Sequence, residues 1–338
     1  MSSPLRESGG CVGRLAPSPT GALHVGNARS FLLAWLSARQ QQGRVLLRIE
    51  DIDSPRVKPW AVASTIADLR WLGLDWDAGP EVPDASERAM AAVAQRVPLV
   101  QSQRLERYRQ VLAELIEGQV IYPCWCTRSE VAEAASAPHE NAGQPLEGPV
   151  YPGTCRGLSG AARRRSEDRK FAWRWAFAAG EMQWWDGLRG AKRARPAEQL
   201  GDFVIARADG TPAYQLAVVI DDRDLGVSEV VRGNDLEFST YRQLAILRYF
   251  GWPEPLYYHV PLMVGSDGRR LAKRHGDTRL SHYRQRGISP QSIVGYLAWT
   301  LNMLPKPREI EPRELLGQLD WRRLPPQPKT VFDESRLP

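Results

Sequence analysis

The sequence has no long hydrophobic run and little cysteine. Within its 338 residues no apolar stretch approaches the ~20 residues that a membrane-spanning helix requires. The N-terminus also lacks the apolar core of a secretory signal peptide. Four cysteines in a chain of this length do not suggest a disulfide framework. We therefore expect a cytoplasmic protein in a reducing environment, and we expect it to be a monomer.

Charge is distributed unevenly over an otherwise ordinary globular composition, 43% hydrophobic and 25% charged. Residues 156–195 contain 11 basic and four acidic residues, a net charge of +7, so the rest of the chain sums to about −1 against a total of +6. The same segment contains Trp173, Trp175, Trp184 and Trp185. For each tryptophan alone a place in the core is the better interpretation. For the region as a whole we favour RNA, which attracts basic side chains and stacks unpaired bases on aromatic rings.

Residues 12–27 combine a strand, a glycine-containing loop and the start of a helix. Val12–Ala16 predicts a short apolar strand, and the apolar spacing after residue 27 predicts an amphipathic helix. Two prolines hold the intervening backbone extended and two glycines allow a ligand to approach it closely; these are Pro17, Pro19, Gly21 and Gly26. A helix N-terminus after such a loop favours phosphate binding, with His24 as a donor. The alternative is an ordinary strand-to-helix turn with an incidental histidine.

An acidic run follows the next predicted strand, Arg44–Glu50. Ligands of open α/β sheets bind at the carboxyl ends of strands, so Glu50 is well placed to face one. Asp51 and Asp53 are better explained as caps of the following helix. We therefore assign Glu50 to the substrate and leave the two aspartates structural.

Three cysteines have a spacing that suits a metal ion. Cys124 and Cys126 can bind one zinc ion together, and Cys155 can supply a third sulfur. A tetrahedral site needs a fourth ligand, for which the sequence offers His139 or Tyr151. The general preference of zinc for nitrogen and sulfur favours His139.

Four stretches together resemble the glutamyl group of class I aminoacyl-tRNA synthetases. They are GRLAPSPTGALHVGN, RIEDIDSPR, DFVIARADGTPAYQLAVVIDDRDLGVSEVVRGNDL and GRRLAKRHG. The resemblance runs from about Val12 to Leu301 and implies an α/β, Rossmann-like catalytic domain with a parallel sheet. It implies that a zinc-containing, acceptor-binding-type insertion interrupts this domain and that a short helical appendage follows it. The implied bounds are 10–120 and 201–285 for the two catalytic halves, 121–200 for the insertion, and 286–338 for the appendage with a proline-rich tail.

The resemblance also implies the site residues. Those that would contact glutamate are Arg14, Leu15, Ala16, Pro17, Ser18, Glu50, Tyr214 and Arg232. Those that would contact ATP, which enters with magnesium, are His24, Gly26, Asn27, Arg270 and Lys273. Asn27 stands where the family more often has a second histidine, and the KMSKS-like loop is degenerate, retaining only Lys273 of its polar set. We assign catalysis to Lys273, which would neutralise charge on the leaving pyrophosphate, and to His24 as an ATP contact.

For the metal, the resemblance implies a different fourth ligand from the one that general zinc chemistry favours. The Y-x-x-x-C spacing of Tyr151 and Cys155 is similar to the family's structural zinc site, in which tyrosine completes the tetrahedron. The ligands it implies are Cys124, Cys126, Tyr151 and Cys155. His139 lies in a loop, residues 132–149, that is longer than is usual in the family.

The length after the KMSKS-like loop points to one branch of the family. Only 50 residues remain from Ser289 onward, whereas an ordinary glutamyl-tRNA synthetase continues into a large helical anticodon-binding region. The chain thus resembles the short glutamyl-queuosine branch, whose implied substrates are L-glutamate, ATP and a tRNA(Asp) that carries queuosine in its anticodon. One alternative is a truncated synthetase that charges the tRNA 3′ end. The other is a catalytically inactive module that binds zinc and RNA.

Overall fold

The computed structural model describes residues 10–52, 57–80, 97–136, 146–158, 169–269, 271, 277–327 and 329–337. Its first half begins as the sequence predicts. Strand β1 (Val12–Leu15) leads through the site loop into helix α1 (Val25–Gln40) and returns to β2 (Arg44–Leu47), which pairs with β1 in parallel. The predicted strand over Arg44–Glu50 is shorter in the structure, because after Leu47 the chain changes partner and Ile49 bridges Val100 instead. Helix α2 (Pro59–Trp71) follows.

Amphipathic packing explains why α1 lies where it does. Ala28, Leu32, Trp35 and Leu36 are buried, as their spacing predicts, in a hydrophobic core that α1 shares with the C-terminal helix. Phe31 is only half-buried and faces a cavity. Burial of an apolar side chain of this size stabilises by about 1.5–3 kcal/mol, so this face of the helix fixes its position against the sheet. None of the helices in the described part of the chain is long and apolar enough to cross a bilayer.

A four-stranded sheet with mostly parallel pairing forms the second catalytic half. Strand β8 (Glu229–Gly233) pairs in parallel with β9 (Leu256–Val260), and β9 pairs in parallel with β5 (Met182–Asp186). Strand β6 (Gly190–Ala194) completes an antiparallel hairpin with β5. The hairpin lies within the range predicted for the insertion, 121–200, but it pairs with strands of the second catalytic half. The predicted domain bounds themselves stay a prediction.

Hydrogen bonds join the first half to the second. The Ser228 N–H, just before β8, donates to the Val12 carbonyl at 3.0 Å, and the Val12 N–H donates to Ser228 Oγ at 2.9 Å. Strand β1 therefore lies beside β8, and the carboxyl ends of these two strands open onto the same edge.

A separate three-stranded antiparallel sheet carries Cys124 at the end of its first strand. Its order is β3 (Ile121–Cys124), β4 (Ala172–Trp175) and β7 (Phe203–Ala206). The helices around these two sheets are α3 (Leu105–Glu117), α4 (Arg128–Ser136), α5 (Pro196–Gln199), α6 (Tyr214–Asp224) and α7 (Glu237–Phe250).

The C-terminal region differs from the predicted helical appendage and proline-rich tail. Helices α8 (Leu280–Gln285) and α9 (Pro290–Thr300) are present, but the tail then returns as strand β11 (Lys329–Val331). This strand pairs in parallel with β10 (Leu262–Val264), directly before the KMSKS-like loop. The proline-free sequence KTVF explains the difference, because β-branched and aromatic residues favour strands where proline does not.

Candidate active site

A cavity of about 600 Å³ opens at the carboxyl ends of β1 and β8 and at the first turn of α1. Ten of the residues predicted to contact glutamate or ATP line it together: Arg14, Ala16, Pro17, Ser18, His24, Gly26, Asn27, Glu50, Tyr214 and Arg232. Leu15 does not, because its side chain is fully buried in the hydrophobic core. The structure thus brings together residues more than 200 positions apart in the chain, although their individual roles stay predictions.

The start of α1 is fixed by a capping box. His24 Nδ1 accepts the Gly26 N–H at 3.1 Å, and Asn27 Oδ1 accepts the His24 N–H at 3.3 Å. A Cβ at position 26 would lie 2.9 Å from the His24 ring, so glycine is required there by packing alone. Asn27 thus supplies the acceptor that the cap needs, while its assigned contact with ATP stays a prediction.

A network of buried charges supports the β1 side of the cavity, where Arg14 and Glu50 line it. Arg48 is almost fully buried and donates to Glu50 Oε1 at 2.9 Å and to Asp222 Oδ1 at 2.5 Å. Arg14 donates to the Val231 carbonyl at 3.2 Å, and its Nε lies 3.6 Å from Asp222 Oδ1. The predicted substrate ligand Glu50 is thus already paired with an arginine that sequence reasoning missed. The only signal for that pair was the basic residue two positions before it in the strand.

Burial shifts the ionisation of these groups. It raises the pKa of Glu50, and the charge and hydrogen bond of Arg48 oppose that shift. It lowers the pKa of Arg14, and the charge of Asp222 opposes that shift. Tyr214, at the start of α6, has its pKa raised by burial and then by the charge of Glu50. A neutral tyrosine hydroxyl at this place can donate a hydrogen bond to a carboxylate.

On the β8 side, Arg232 is held by uncharged acceptors. Its Nε donates to His259 Nε2 at 3.0 Å, and its Nη1 donates to Gln243 Oε1 at 2.9 Å. Its Nη2 donates to Thr240 Oγ1 at 2.8 Å and to the Leu236 carbonyl at 3.3 Å. Four of the five N–H groups of this guanidinium therefore have acceptors within the described residues, which leaves one for a ligand.

His259 joins Arg232 to a buried carboxylate. Because its Nε2 accepts from Arg232, the ring proton is on Nδ1, which donates to Asp186 Oδ2 at 2.6 Å. Burial lowers the pKa of His259 to about 4, so the ring is neutral. Asp186 also accepts the N–H groups of Leu188 and Arg189 through its Oδ1. Sequence reasoning missed both residues, since nothing in their spacing connects a turn aspartate with a histidine 73 positions later.

The strand that leads to the KMSKS-like loop borders the cavity. Leu262 and Met263 of β10 line it, and so does Leu271 within the loop. A turn closed by the Gly268 N–H and the Gly265 carbonyl precedes the loop. Arg270 and Lys273 lie outside the described residues, so their assigned roles stay predictions.

The three predicted cysteine ligands converge in the structure. The sulfurs of Cys124, Cys126 and Cys155 all lie within 4.8 Å of one another. The Tyr151 hydroxyl lies 3.3 Å from Cys124 Sγ and 3.8 Å from Cys126 Sγ, and it accepts the Cys155 N–H at 2.9 Å. Four ligands around a tetrahedral zinc with Zn–S bonds of about 2.3 Å are separated by about 3.8 Å, so this donor set fits the ion. His139 lies outside the described residues.

Hydrogen bonds prepare one of these sulfurs for metal binding. Arg174 Nε donates to Cys124 Sγ at 3.2 Å. Burial opposes ionisation of this thiol, but the hydrogen bonds of Tyr151 and Arg174 outweigh it and lower the pKa of Cys124. A thiolate is the form that binds a metal.

The comparisons with known proteins agree with this geometry. Residues 11–329 match the family of class I tRNA synthetases (E and Q), catalytic domain. The chain belongs to this family, and it is an ATP-dependent ligase of the aminoacyl-tRNA synthetase type.

Among its relatives, the glutamyl-Q tRNA(Asp) synthetase of Symbiobacterium thermophilum is 47% identical over 325 residues, which cover 96% of each chain. The glutamate–tRNA ligase 2 of Syntrophus aciditrophicus is 38% identical over 96% of this chain and 64% of its own. The crystal structure of glutamate-tRNA synthetase from Elizabethkingia anophelis superposes with a TM-score of 0.79 at 22% identity, covering 97% of this chain and 69% of that one. The predicted α/β fold with a parallel sheet is thereby confirmed.

Proposed function

We propose that the protein activates L-glutamate with ATP and transfers the glutamyl group to queuosine in the anticodon of tRNA(Asp). The observation that carries the activation step is the charge pattern of the cavity. Glutamate has two carboxylates and one ammonium, and the cavity presents two arginines, a tyrosine hydroxyl and Glu50. Each charge-assisted hydrogen bond in such a buried site contributes on the order of 1.5–3 kcal/mol.

The activation reaction depends on positioning glutamate and ATP rather than on a nucleophilic side chain of the protein. The α-carboxylate of glutamate attacks the α-phosphorus of ATP, forming glutamyl adenylate and releasing pyrophosphate. The N–H groups of the first turn of α1 already donate within the protein, so it is the positive dipole end of this helix that favours the phosphates there. Magnesium is expected to enter with ATP. The resemblance alone supports Lys273 as the cation that neutralises the leaving pyrophosphate.

The choice of acceptor rests on the relatives. The chain is 47% identical to a protein named glutamyl-Q tRNA(Asp) synthetase and 38% identical to one named glutamate–tRNA ligase.

The test is to incubate the protein with labelled glutamate, ATP and total tRNA, and to map the labelled nucleotide. We expect label in the anticodon loop. Label released from the 3′ adenosine by mild base would reject this acceptor in favour of ordinary charging, and absence of glutamate-dependent pyrophosphate exchange would favour an inactive RNA-binding module.

We also propose that Cys124, Cys126, Tyr151 and Cys155 hold one structural zinc. The ion would cross-link β3 to the segment around residue 155 and contribute folding energy to this region. Metal analysis of protein purified without added zinc should give one equivalent, and a chelator should lower the unfolding temperature. Tyr151→Phe should lose the metal while His139→Ala retains it. The reverse result would make His139 the fourth ligand, and stoichiometric absence of zinc would reject the site.

A further inference from the structure

The four tryptophans of the basic segment differ in their surroundings. Trp175 and Trp184 are buried and Trp173 is half-buried, whereas 56% of Trp185 is exposed. Side chains alternate between the two faces of a strand. Trp184 therefore points inward from β5, against Tyr241, and Trp185 points to the opposite face. The interpretation of these tryptophans as core residues holds for two of them, and it fails for Trp185.

Small residues beside Trp185 leave its indole open. Trp185 pairs with Ala191 across the hairpin, and its Cη2 lies 3.8 Å from where a Cβ on Gly190 would be. The ring therefore lies along the hairpin next to two small residues. An aromatic ring placed in this way offers a flat face on which a nucleic-acid base can stack.

Positive charge accompanies this ring on the same face. Arg193 pairs with Gln183, and both are exposed, so Arg193 is the diagonal neighbour of Trp185 at about 7–8 Å. Its neighbour Lys192 points to the other face and pairs with Glu237 at 2.9 Å. Residues 169–195 contain seven basic and two acidic residues. This charge complements a phosphate backbone, and one guanidinium beside one open indole suits a single nucleotide.

The hairpin lies close to the candidate active site. Trp185 directly precedes Asp186, which holds His259 and, through it, Arg232 on the cavity wall. Only β9 separates β5 from β8, so the two strands are about 10 Å apart, which is two strand spacings. Arg232, His259 and Trp184 share one face of this sheet and Trp185 lies on the other. A base stacked on Trp185 and a base that enters the cavity would therefore lie on two sides of the same sheet edge, within reach of one RNA loop.

We propose that Trp185 and Arg193 form a platform for an unpaired nucleotide of the RNA substrate, in the same loop as the nucleotide that receives glutamate. The identity of that RNA rests on the proposed function. The platform itself needs only the exposed ring, the diagonal arginine and the net positive charge around them. Stacking of one base on an aromatic side chain contributes about 1–3 kcal/mol, which corresponds to about a 5- to 150-fold change in affinity.

The test measures RNA binding and glutamate activation separately. Trp185→Ala should weaken filter binding of queuosine-containing tRNA by about 5- to 150-fold and leave glutamate-dependent pyrophosphate exchange unchanged. Trp185→Phe should retain most of the affinity. Arg193→Ala should lower the slope of log affinity against log salt by about 1. Trp60→Ala, which removes an equally exposed tryptophan from α2, is the matched control.

Unchanged RNA binding in Trp185→Ala, or an equal loss in Trp60→Ala, would overturn the proposal. A loss of pyrophosphate exchange that parallels the loss of binding would also overturn it, because the residue would then be structural. So would a wild-type dimer that Trp185→Ala converts to a monomer, since a second copy of this chain would then cover the ring. If Trp185→Ala weakens tRNA binding as expected but the wild-type protein transfers no glutamate to the tRNA, the platform proposal holds and the proposed function fails.

Discussion

The two arginines that line the cavity are buried to the same degree but are held differently. Arg14, on β1, is 5% exposed and has one hydrogen bond to a backbone carbonyl, with Asp222 3.6 Å away. Arg232, on β8, is 6% exposed and donates to four acceptors, none of them charged. The first is stabilised mainly by nearby carboxylates, and the second mainly by hydrogen bonds.

Because of this difference, one arginine is suited to binding a ligand and the other to shaping the cavity wall. Arg14 keeps enough N–H groups to hold a carboxylate by two parallel hydrogen bonds, which is the strongest arrangement available to a guanidinium. Arg232 has one N–H group left, so it provides a fixed positive charge with little freedom to reorient. We infer that Arg14 makes the bidentate contact with a glutamate carboxylate and that Arg232 sets the charge and shape of the opposite wall.

Conservative substitutions at both positions test this division. Arg14→Lys keeps the charge but loses the planar fork, and we expect it to raise KM for glutamate on the order of 100-fold. Arg232→Lys should raise that KM only a few-fold while lowering the free energy of unfolding by about 2–3 kcal/mol, because several buried acceptors lose their donors. Pyrophosphate exchange and urea denaturation measure the two effects. An equal rise in KM for both variants would contradict the inference.

The comparison also shows what the sequence can reveal. Motif resemblance placed Arg14 and Arg232 in one site, and local spacing was enough to predict the start of α1 at His24 and the convergence of the three cysteines, but not the capping role of His24. The sequence did not reveal that Arg48 pairs with Asp222 or that Asp186 pairs with His259. These pairs join residues 174 and 73 positions apart on separate elements: Arg48 follows β2 and Asp222 lies on α6, whereas Asp186 ends β5 and His259 lies on β9. Contacts between distant segments leave no periodic signal in a single sequence. The C-terminal strand was missed for the same reason.

The neutral state of His259 makes the β8 side sensitive to acid. A histidine whose folded pKa is about 4 binds its proton more readily in the unfolded chain, where the ordinary value is about 6.5. Its contribution to stability is therefore intact above pH 6.5 and is lost as the pH falls toward 4. This amounts to about 3 kcal/mol.

His259→Gln removes this titration. Between pH 7 and pH 4 we expect the free energy of unfolding of the wild type to fall by about 3 kcal/mol more than that of the variant. Urea denaturation at a series of pH values measures the difference. His282→Gln on α8 controls for histidine substitution in general. Parallel curves for the wild type and His259→Gln would show that the ring does not need to be neutral.

A third buried arginine can be compared with these two, because within the described residues it lacks both the carboxylate that stabilises Arg14 and the hydrogen bonds that hold Arg232. Arg29, on α1, is 1% exposed, and none of its guanidinium nitrogens has a hydrogen-bond partner within the described residues. Burial lowers its pKa to about 10. A group whose charged form is disfavoured by burial destabilises the folded state at neutral pH, and at Arg14 the charge of Asp222 opposes part of that cost.

Arg29→Met retains the length of the side chain and removes its charge. We expect this variant to raise the free energy of unfolding by about 1–3 kcal/mol, because a pKa of about 10 in place of the ordinary 12.5 corresponds to roughly 3 kcal/mol and some packing is lost with the guanidinium. Denaturation at pH 7 measures the change, and pyrophosphate exchange should be unaffected. A destabilised variant would mean that the charge of Arg29 is balanced in the folded protein, and Arg29 would then belong with the other two arginines.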